Sequence, residues 1–177
     1  MSVPFIPYDA LTGAATVTAL ARRYVPDENL EIADPNIGQT AGDPLSLMGL
    51  GSGSDSDAVA LVRTGLPTTV IEALARSLGI SQRDLLAASA IAPATLTRRR
   101  NAGGRLSPAE SDRVYRIADS LGDAIRLFEG DQGAARGWLM EPARALGGAT
   151  PFEYLATEVG ASEVRRLIGR LEHGVYS

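Results

Sequence analysis

The sequence predicts an all-α fold, and three observations support this. From Leu66 onward apolar residues recur at helical spacing, and no stretch shows the sustained period-2 alternation of a strand. Two segments, 107–110 and 150–153, place a hydroxyl residue, a proline and a glutamate in the order that begins a helix. Glycines such as Gly79 and Gly174 follow the apolar stripes, where a left-handed residue ends a helix.

The first 64 residues differ from the rest and are predicted to form an acidic leader. One helix is expected from Thr12 to about Tyr24, with Thr12 as its N-cap. Residues 25–57 are rich in Pro, Gly, Asp and Ser, which favour turns and offer little apolar surface for burial. This stretch is therefore predicted to be a linker or a segment that only a partner orders. The alternative is a flexible leader with no role of its own.

Three short helices are predicted at 67–78, 81–90 and 93–100, within a domain that spans 65–130. The first carries an apolar stripe, the second begins with Ser81 as its N-cap, and the third begins at a proline. Short helices joined by tight turns are typical of a helix–turn–helix, in which one helix braces a second that enters the DNA major groove. Residues 81–90 would be the bracing helix and 93–100 the reader helix.

The reader helix has one apolar anchor, Leu96, and polar residues elsewhere that suit DNA contact. These candidate DNA-binding residues are Thr95, Thr97, Arg98, Arg99 and Arg100. Arginine forks onto guanine edges, and threonine contacts phosphates or a thymine methyl group. Because reader helices present their N-terminal end to the bases, we expect one arginine at most to read a base. The alternative is that the arginine run is a solvated helix terminus, favoured by the helix dipole alone.

The charge distribution favours a polyanionic partner for this domain. The chain has a net charge of −4, and all 17 of its basic residues are arginine. Residues 1–64 carry three arginines and eight acidic residues, a balance of −5, whereas residues 67–105 carry six arginines and two acidic residues, a balance of +4. Binding depends on the field at the docking face rather than on the total charge.

A long helix is predicted from Pro108 to about Leu121 or Phe128, and residues 131–177 are predicted to form a small helical module. Its last helix would run from about Ala161 to His173. Large apolar residues would pack its core; they are Trp138, Leu139, Met140, Leu146, Phe152, Leu155 and Val159. The tail beyond the helix either frays or lodges in a partner's pocket beside Arg165, Arg166 and Arg170.

Enzymatic interpretations find little support, and we expect no catalytic residue, no metal and no cofactor. The chain has no Cys and one His, which excludes a Cys–His dyad and a thiolate zinc site. Residues 49–55 are glycine-rich but follow no strand, and the chain lacks the lysine of a phosphate-binding loop. There is no secretory signal and no run long enough to span a membrane, so a cytoplasmic protein is expected.

Two segments carry a family resemblance. The sequences TRRRNAGGRLSPAESDRVYRIADSLGDAIRLF and GWLMEPARALGGATPFEYLATEVGASEVRRLIGRLEHGVYS closely resemble the Xre/MbcA/ParS-type antitoxins of bacterial RES–Xre toxin–antitoxin pairs. The resemblance covers about residues 67–177. Its most distinctive positions are Trp138-Leu139, Pro142, Leu146-Gly147-Gly148, Thr150-Pro151, Val164 and 172–177.

The resemblance implies a dimeric antitoxin that binds a RES-domain toxin and blocks its NAD pocket; such toxins consume NAD or use it for ADP-ribosylation. It also implies that the helix–turn–helix represses the toxin–antitoxin operon by binding operator DNA. The toxin-binding role would fall on Arg166, Arg170, His173, Gly174, Val175, Tyr176 and Ser177. The alternative is a stand-alone helix–turn–helix transcription regulator whose C-terminal module only dimerises.

Overall fold

The structure, a computed structural model, describes residues 42–174, and within them it is helical and contains no strand. This confirms the predicted fold class; the leader helix expected at 12–24 lies outside the described residues. The helices are α1 (Pro44–Leu47), α2 (Asp55–Thr64), α3 (Val70–Leu78), α4 (Gln82–Ala88), α5 (Pro93–Asn101), α6 (Pro108–Leu127), α7 (Gln132–Met140), α8 (Pro151–Tyr154) and α9 (Glu158–Glu172), with a 3₁₀ turn at Arg144–Leu146.

The central element is α6, which packs against α1, α2 and α3 and also against α7 and α9. Its buried side chains include Val114, Ile117, Leu121 and Ile125, none more than 1% exposed. Both the helix–turn–helix region and the C-terminal helices therefore share one hydrophobic core, with α6 running through it.

Part of the predicted linker is folded, so that prediction is wrong for residues 43–57. Leu45, Leu47 and Met48 are buried in the core, where Met48 is 1% exposed. The carboxylate of Asp43 caps α1 by accepting hydrogen bonds from two backbone N–H groups. The polar residues that suggested a linker thus cap helices, and the short apolar run between them packs on α6.

The first described residue, Gly42, lies against α6 at Gly122. A Cβ atom built on Gly122 would lie 2.2 Å from the carbonyl oxygen of Gly42. The same carbonyl accepts a hydrogen bond from Nη1 of Arg126 at 3.0 Å. The backbone therefore lies directly on the helix at a point where no side chain fits.

Helix α3 begins at Val70, three residues later than predicted. The preceding residues run beside the segment that leads into α6, because the Thr68 N–H donates to the Gly104 carbonyl at 2.8 Å and the Leu106 N–H donates to the Leu66 carbonyl, also at 2.8 Å. The reader helix α5 matches its prediction to within one residue.

Helix α4 ends at Ala88, two residues before the predicted end. The C-cap Ser89 follows, and Ala90 adopts a left-handed conformation with φ 50°. The chain therefore leaves the helix before residue 90.

The predicted helix starts at Ser107 and Thr150 are confirmed. In both, the hydroxyl accepts from the N3 backbone, and the N3 carboxylate accepts from the N-cap backbone. Helix α9 begins at Glu158, three residues earlier than predicted, because Thr157 serves as its N-cap. The predicted burial of Val159 is wrong: this residue points outward from the first turn of α9 and is 75% exposed.

We expect Met48→Ala to lower the free energy of unfolding by about 2–5 kcal/mol, because it removes a buried side chain and leaves a cavity. The exposed Val59 on α2 offers a matched control, since Val59→Ala should change stability by less than about 0.5 kcal/mol. Urea unfolding followed by circular dichroism measures both. Equal stability of Met48→Ala and the parent chain would contradict the folding of residues 43–57 onto α6.

Candidate functional site

The reader helix α5 presents a polar face to solvent. Leu96 is buried, so helical spacing places Ala94, Arg98 and Asn101 on the opposite side. Arg98 is exposed and forms no hydrogen bond or ion pair with other described residues. Asn101 is not among the residues predicted from the sequence, although its position three residues after Arg98 places it on the same face of α5.

The remaining candidates on α5 flank this face. Thr97 is exposed and its hydroxyl donates to the Pro93 carbonyl at 3.2 Å, whereas Thr95 is half-buried. Arg100 is exposed and, like Arg98, is unpaired among the described residues. Arg99 differs from its neighbours because it forms a two-point ion pair with Glu110 on α6.

Arginines outside the reader helix extend the basic surface. Arg76, Arg83 and Arg105 are exposed, and Arg105 donates to the Gly65 carbonyl. Arg83 stands at the rim of a shallow apolar groove that also includes Ala90 and Pro93, at the start of the reader helix. The structure therefore places a cation from α4 near the N-terminal end of α5, the end that a reader helix presents to bases.

The N-terminal turns of α6 hold both helices of the helix–turn–helix. Glu110 pairs with Arg99 on α5, and the Nε of Arg113 donates to the Ser89 carbonyl at the end of α4, at 2.6 Å. Burial raises the pKa of Glu110, but hydrogen bonds from the Ser107 backbone and from Arg99 outweigh it and hold the pKa below its ordinary value of 4.5. Glu110 is therefore an anion at neutral pH.

At the other end of the molecule, the predicted toxin-binding residues lie along the end of α9. Arg166 pairs with Glu163 at 2.9 Å in an exposed contact, and Arg170 is half-buried. His173 is the exposed C-cap, followed by Gly174 with φ 64°. The remaining candidates, 175–177, lie outside the described residues.

Arg165, the residue before Arg166, belongs to a separate set of ion pairs. It pairs with Glu158 at 3.1 Å, and the same carboxylate binds the Nε of Arg116 on α6 at 2.8 Å. The contact between Arg116 and Glu158 ties the start of α9 to α6. The end of α9 projects Arg166, Arg170 and His173 on one side of the helix, since their spacing is i, i+4 and i+7.

Residues 42–174 contain neither a metal-binding cluster nor a transmembrane helix. No group of three or more His, Asp or Glu residues there could hold a metal ion. No helix in the same range is long and apolar enough to cross a membrane.

The geometry defines a class of protein: a helix–turn–helix unit whose last helix also carries a second helical module. Comparison with known families matches both parts. Residues 57–119 match the family described as the antitoxin Xre-like helix-turn-helix domain, and residues 123–174 match the antitoxin Xre/MbcA/ParS C-terminal toxin-binding domain.

Curated relatives agree with these matches. The chain is 41% identical over 116 residues to Antitoxin Xre of Yersinia enterocolitica, and the aligned region covers 66% of this chain and 78% of the relative. It is 35% identical over 130 residues to Antitoxin Xre of Photorhabdus laumondii, and the aligned region covers 73% of this chain and 88% of that relative. It is 24% identical over 143 residues to the Prs ADP-ribosylating antitoxin of a Sphingobium species, and the aligned region covers 76% of this chain and 89% of that relative. The chain belongs to the Xre antitoxin family.

The raised pKa of Asp119, a partly buried residue on α6, predicts how the stability of the fold depends on pH. Burial and the nearby Asp123 carboxylate raise this pKa above its ordinary value of 3.8. Ionisation of Asp119 therefore destabilises the fold at neutral pH, and this penalty disappears as the pH falls towards 3.8. We expect Asp119→Asn to raise the Tm at neutral pH and the gain to shrink on acidification.

Thermal unfolding across this pH range checks the prediction. Asp112→Asn, on the same helix, is the control, because the Asp112 side chain is 64% exposed and its partner Arg116 keeps Glu158 as a second carboxylate partner. A lower Tm for Asp119→Asn at neutral pH would show that the charged carboxylate stabilises the fold.

Proposed function

We propose that this protein neutralises a cognate RES-domain toxin by blocking the toxin's NAD pocket with the end of α9 and the tail that follows. The observation that carries the proposal is the toxin-binding domain match over residues 123–174, in which α9 is the last element. The Prs ADP-ribosylating antitoxin among the relatives supports a toxin of the NAD-using class. In this proposal the protein is a cytoplasmic inhibitor with no catalytic residue or cofactor of its own.

The physical basis for such a role is a rigid helix with an exposed end. Val164, Leu167 and Ile168 are buried and fix α9 in the core. On the outer side of α9, the ion pair that Arg166 forms among the described residues is exposed, and such a pair is worth little in water. A toxin carboxylate can therefore replace Glu163 as its partner at small cost, and the tail residues Val175, Tyr176 and Ser177 follow directly from this end.

Deletion of residues 174–177 should release NAD consumption or ADP-ribose transfer by a co-purified toxin, because the pocket entrance loses its cover. The truncated protein should keep its Tm, since the last buried residue of α9 is Ile168. Toxin activity assayed with excess antitoxin, full-length or truncated, measures the effect. Full inhibition by the truncated protein would overturn occlusion by the tail, and failure of the full-length protein to bind any RES-domain toxin would favour the transcription-regulator alternative.

We further propose that the protein represses its own operon as a homodimer whose reader helices contact two half-sites about one helical turn apart. Support comes from the match to an Xre-like helix-turn-helix domain and from Arg98 and Arg100, which are exposed on α5 and have no ion-pair partner within residues 42–174. Thr95, Thr97 and Asn101 lie on the same helix and supply groups that can reach phosphates or base edges.

The double variant Arg98→Ala, Arg100→Ala should weaken operator binding and reduce the magnitude of its salt slope by about 0.9 for each phosphate that the protein ceases to neutralise. Titration of operator DNA at several salt concentrations measures both quantities. Arg63→Ala is the control, because Arg63 is an exposed arginine on α2, which is neither the bracing helix α4 nor the reader helix α5. Unchanged affinity in the double variant would show that α5 is not the reader helix.

A further inference from the structure

The three consecutive arginines of α5 occupy different environments. Arg98 and Arg100 are exposed, whereas the side chain of Arg99 is only 33% exposed. Its Nε donates to Oε2 of Glu110 at 3.0 Å, and its Nη2 donates to Oε1 at 3.3 Å. This is the two-point geometry in which a guanidinium holds a carboxylate most firmly.

Glu110 is itself fixed in place. Its side chain is 11% exposed, and Oε2 also accepts the Ser107 N–H at 2.7 Å, which closes the capping box of α6. Loss of the guanidinium would leave this carboxylate largely buried without its cation, an arrangement that costs more than breaking an exposed ion pair. Arg99 is therefore much less available to a phosphate than Arg98 or Arg100.

A second contact reinforces the first. One turn along α6, Arg113 donates to the carbonyl of Ser89, the residue that ends α4. Two side chains on successive turns of α6 thus hold the two helices of the helix–turn–helix. Since the apolar face of α6 is buried in the core, both helices are fixed with respect to the whole domain.

We propose that Arg99 is a positioning residue that acts through Glu110 to hold α5 at its angle for DNA contact, while Arg98 and Arg100 contact the DNA. This inference rests on the proposed operator binding. It assigns Arg99 a role different from that of Arg98 and Arg100, and three identical residues in sequence do not provide this distinction.

The variant Glu110→Gln tests the proposal because the two possible roles of Arg99 predict changes of opposite sign. If Arg99 positions α5, loss of the carboxylate charge should weaken operator binding, by about tenfold. If Arg99 contacts phosphate, the same change should strengthen binding, because a competing anion is removed. Asp112→Asn removes an equal charge from the same end of α6 without touching Arg99 and is the matched control.

Arg99→Lys gives an independent test in a half-exposed position where the fold should tolerate the change. Lysine keeps the charge that a phosphate contact needs but cannot hold Glu110 at two points. We expect a similar loss of affinity, and we expect the double variant with Glu110→Gln to bind no more weakly than either single variant. Thermal melts on the same samples verify folding.

Wild-type affinity in Arg99→Lys, tighter binding by Glu110→Gln, or additive losses in the double variant would each overturn the positioning role. These outcomes differ from failure of the proposed operator binding, in which the wild-type protein would not shift the operator at all. That last result would remove the basis of this inference as well.

Discussion

Burial of α6 is the constraint on which the rest of the structure depends. A helix of 20 residues that is covered by helices from both parts of the chain needs apolar residues around much of its circumference, and α6 has them. Its N-terminal turns hold the reader helix, and the same helix packs against α7 and α9. The helix–turn–helix domain and the toxin-binding domain of this Xre-family antitoxin are therefore parts of one packed body rather than two independent units.

Local signals in the sequence were sufficient for much of this architecture. A capping box depends on residues three apart, so the starts of α6 and α8 could be predicted directly from Ser107 and Thr150. The burial of Met48 could not, because the surface that covers it lies far along the chain, and the neighbouring Gly, Ser and Asp residues resemble a linker. The burial of Val159 was predicted wrongly for a related reason: α9 was expected to begin after this residue, whereas Thr157 caps the helix and places the valine on its exposed first turn.

The candidate surfaces show the same division between local and distant information. Sequence spacing identified α5 and its arginines, but the pairing of Arg99 with Glu110 joins residues eleven positions apart across a turn. Counting charges therefore overstates the cations available to a ligand, because Arg99, Arg113, Arg116 and Arg126 all bind groups within the protein. In a chain without lysine, arginine makes these internal contacts, and exposure alone does not reveal them, since Arg126 is 53% exposed and still binds Gly42.

The close approach of Gly42 to Gly122 limits which residues the chain can carry at these two positions. Glycine in the middle of a helix costs about 1 kcal/mol relative to alanine, yet an alanine at 122 would place its Cβ 2.2 Å from the Gly42 carbonyl oxygen. The two positions therefore constrain each other. Alanine at 122 would gain helix stability only where no backbone lies at the place that Gly42 occupies, so the glycine is retained by a contact eighty residues away in sequence rather than by its own helix.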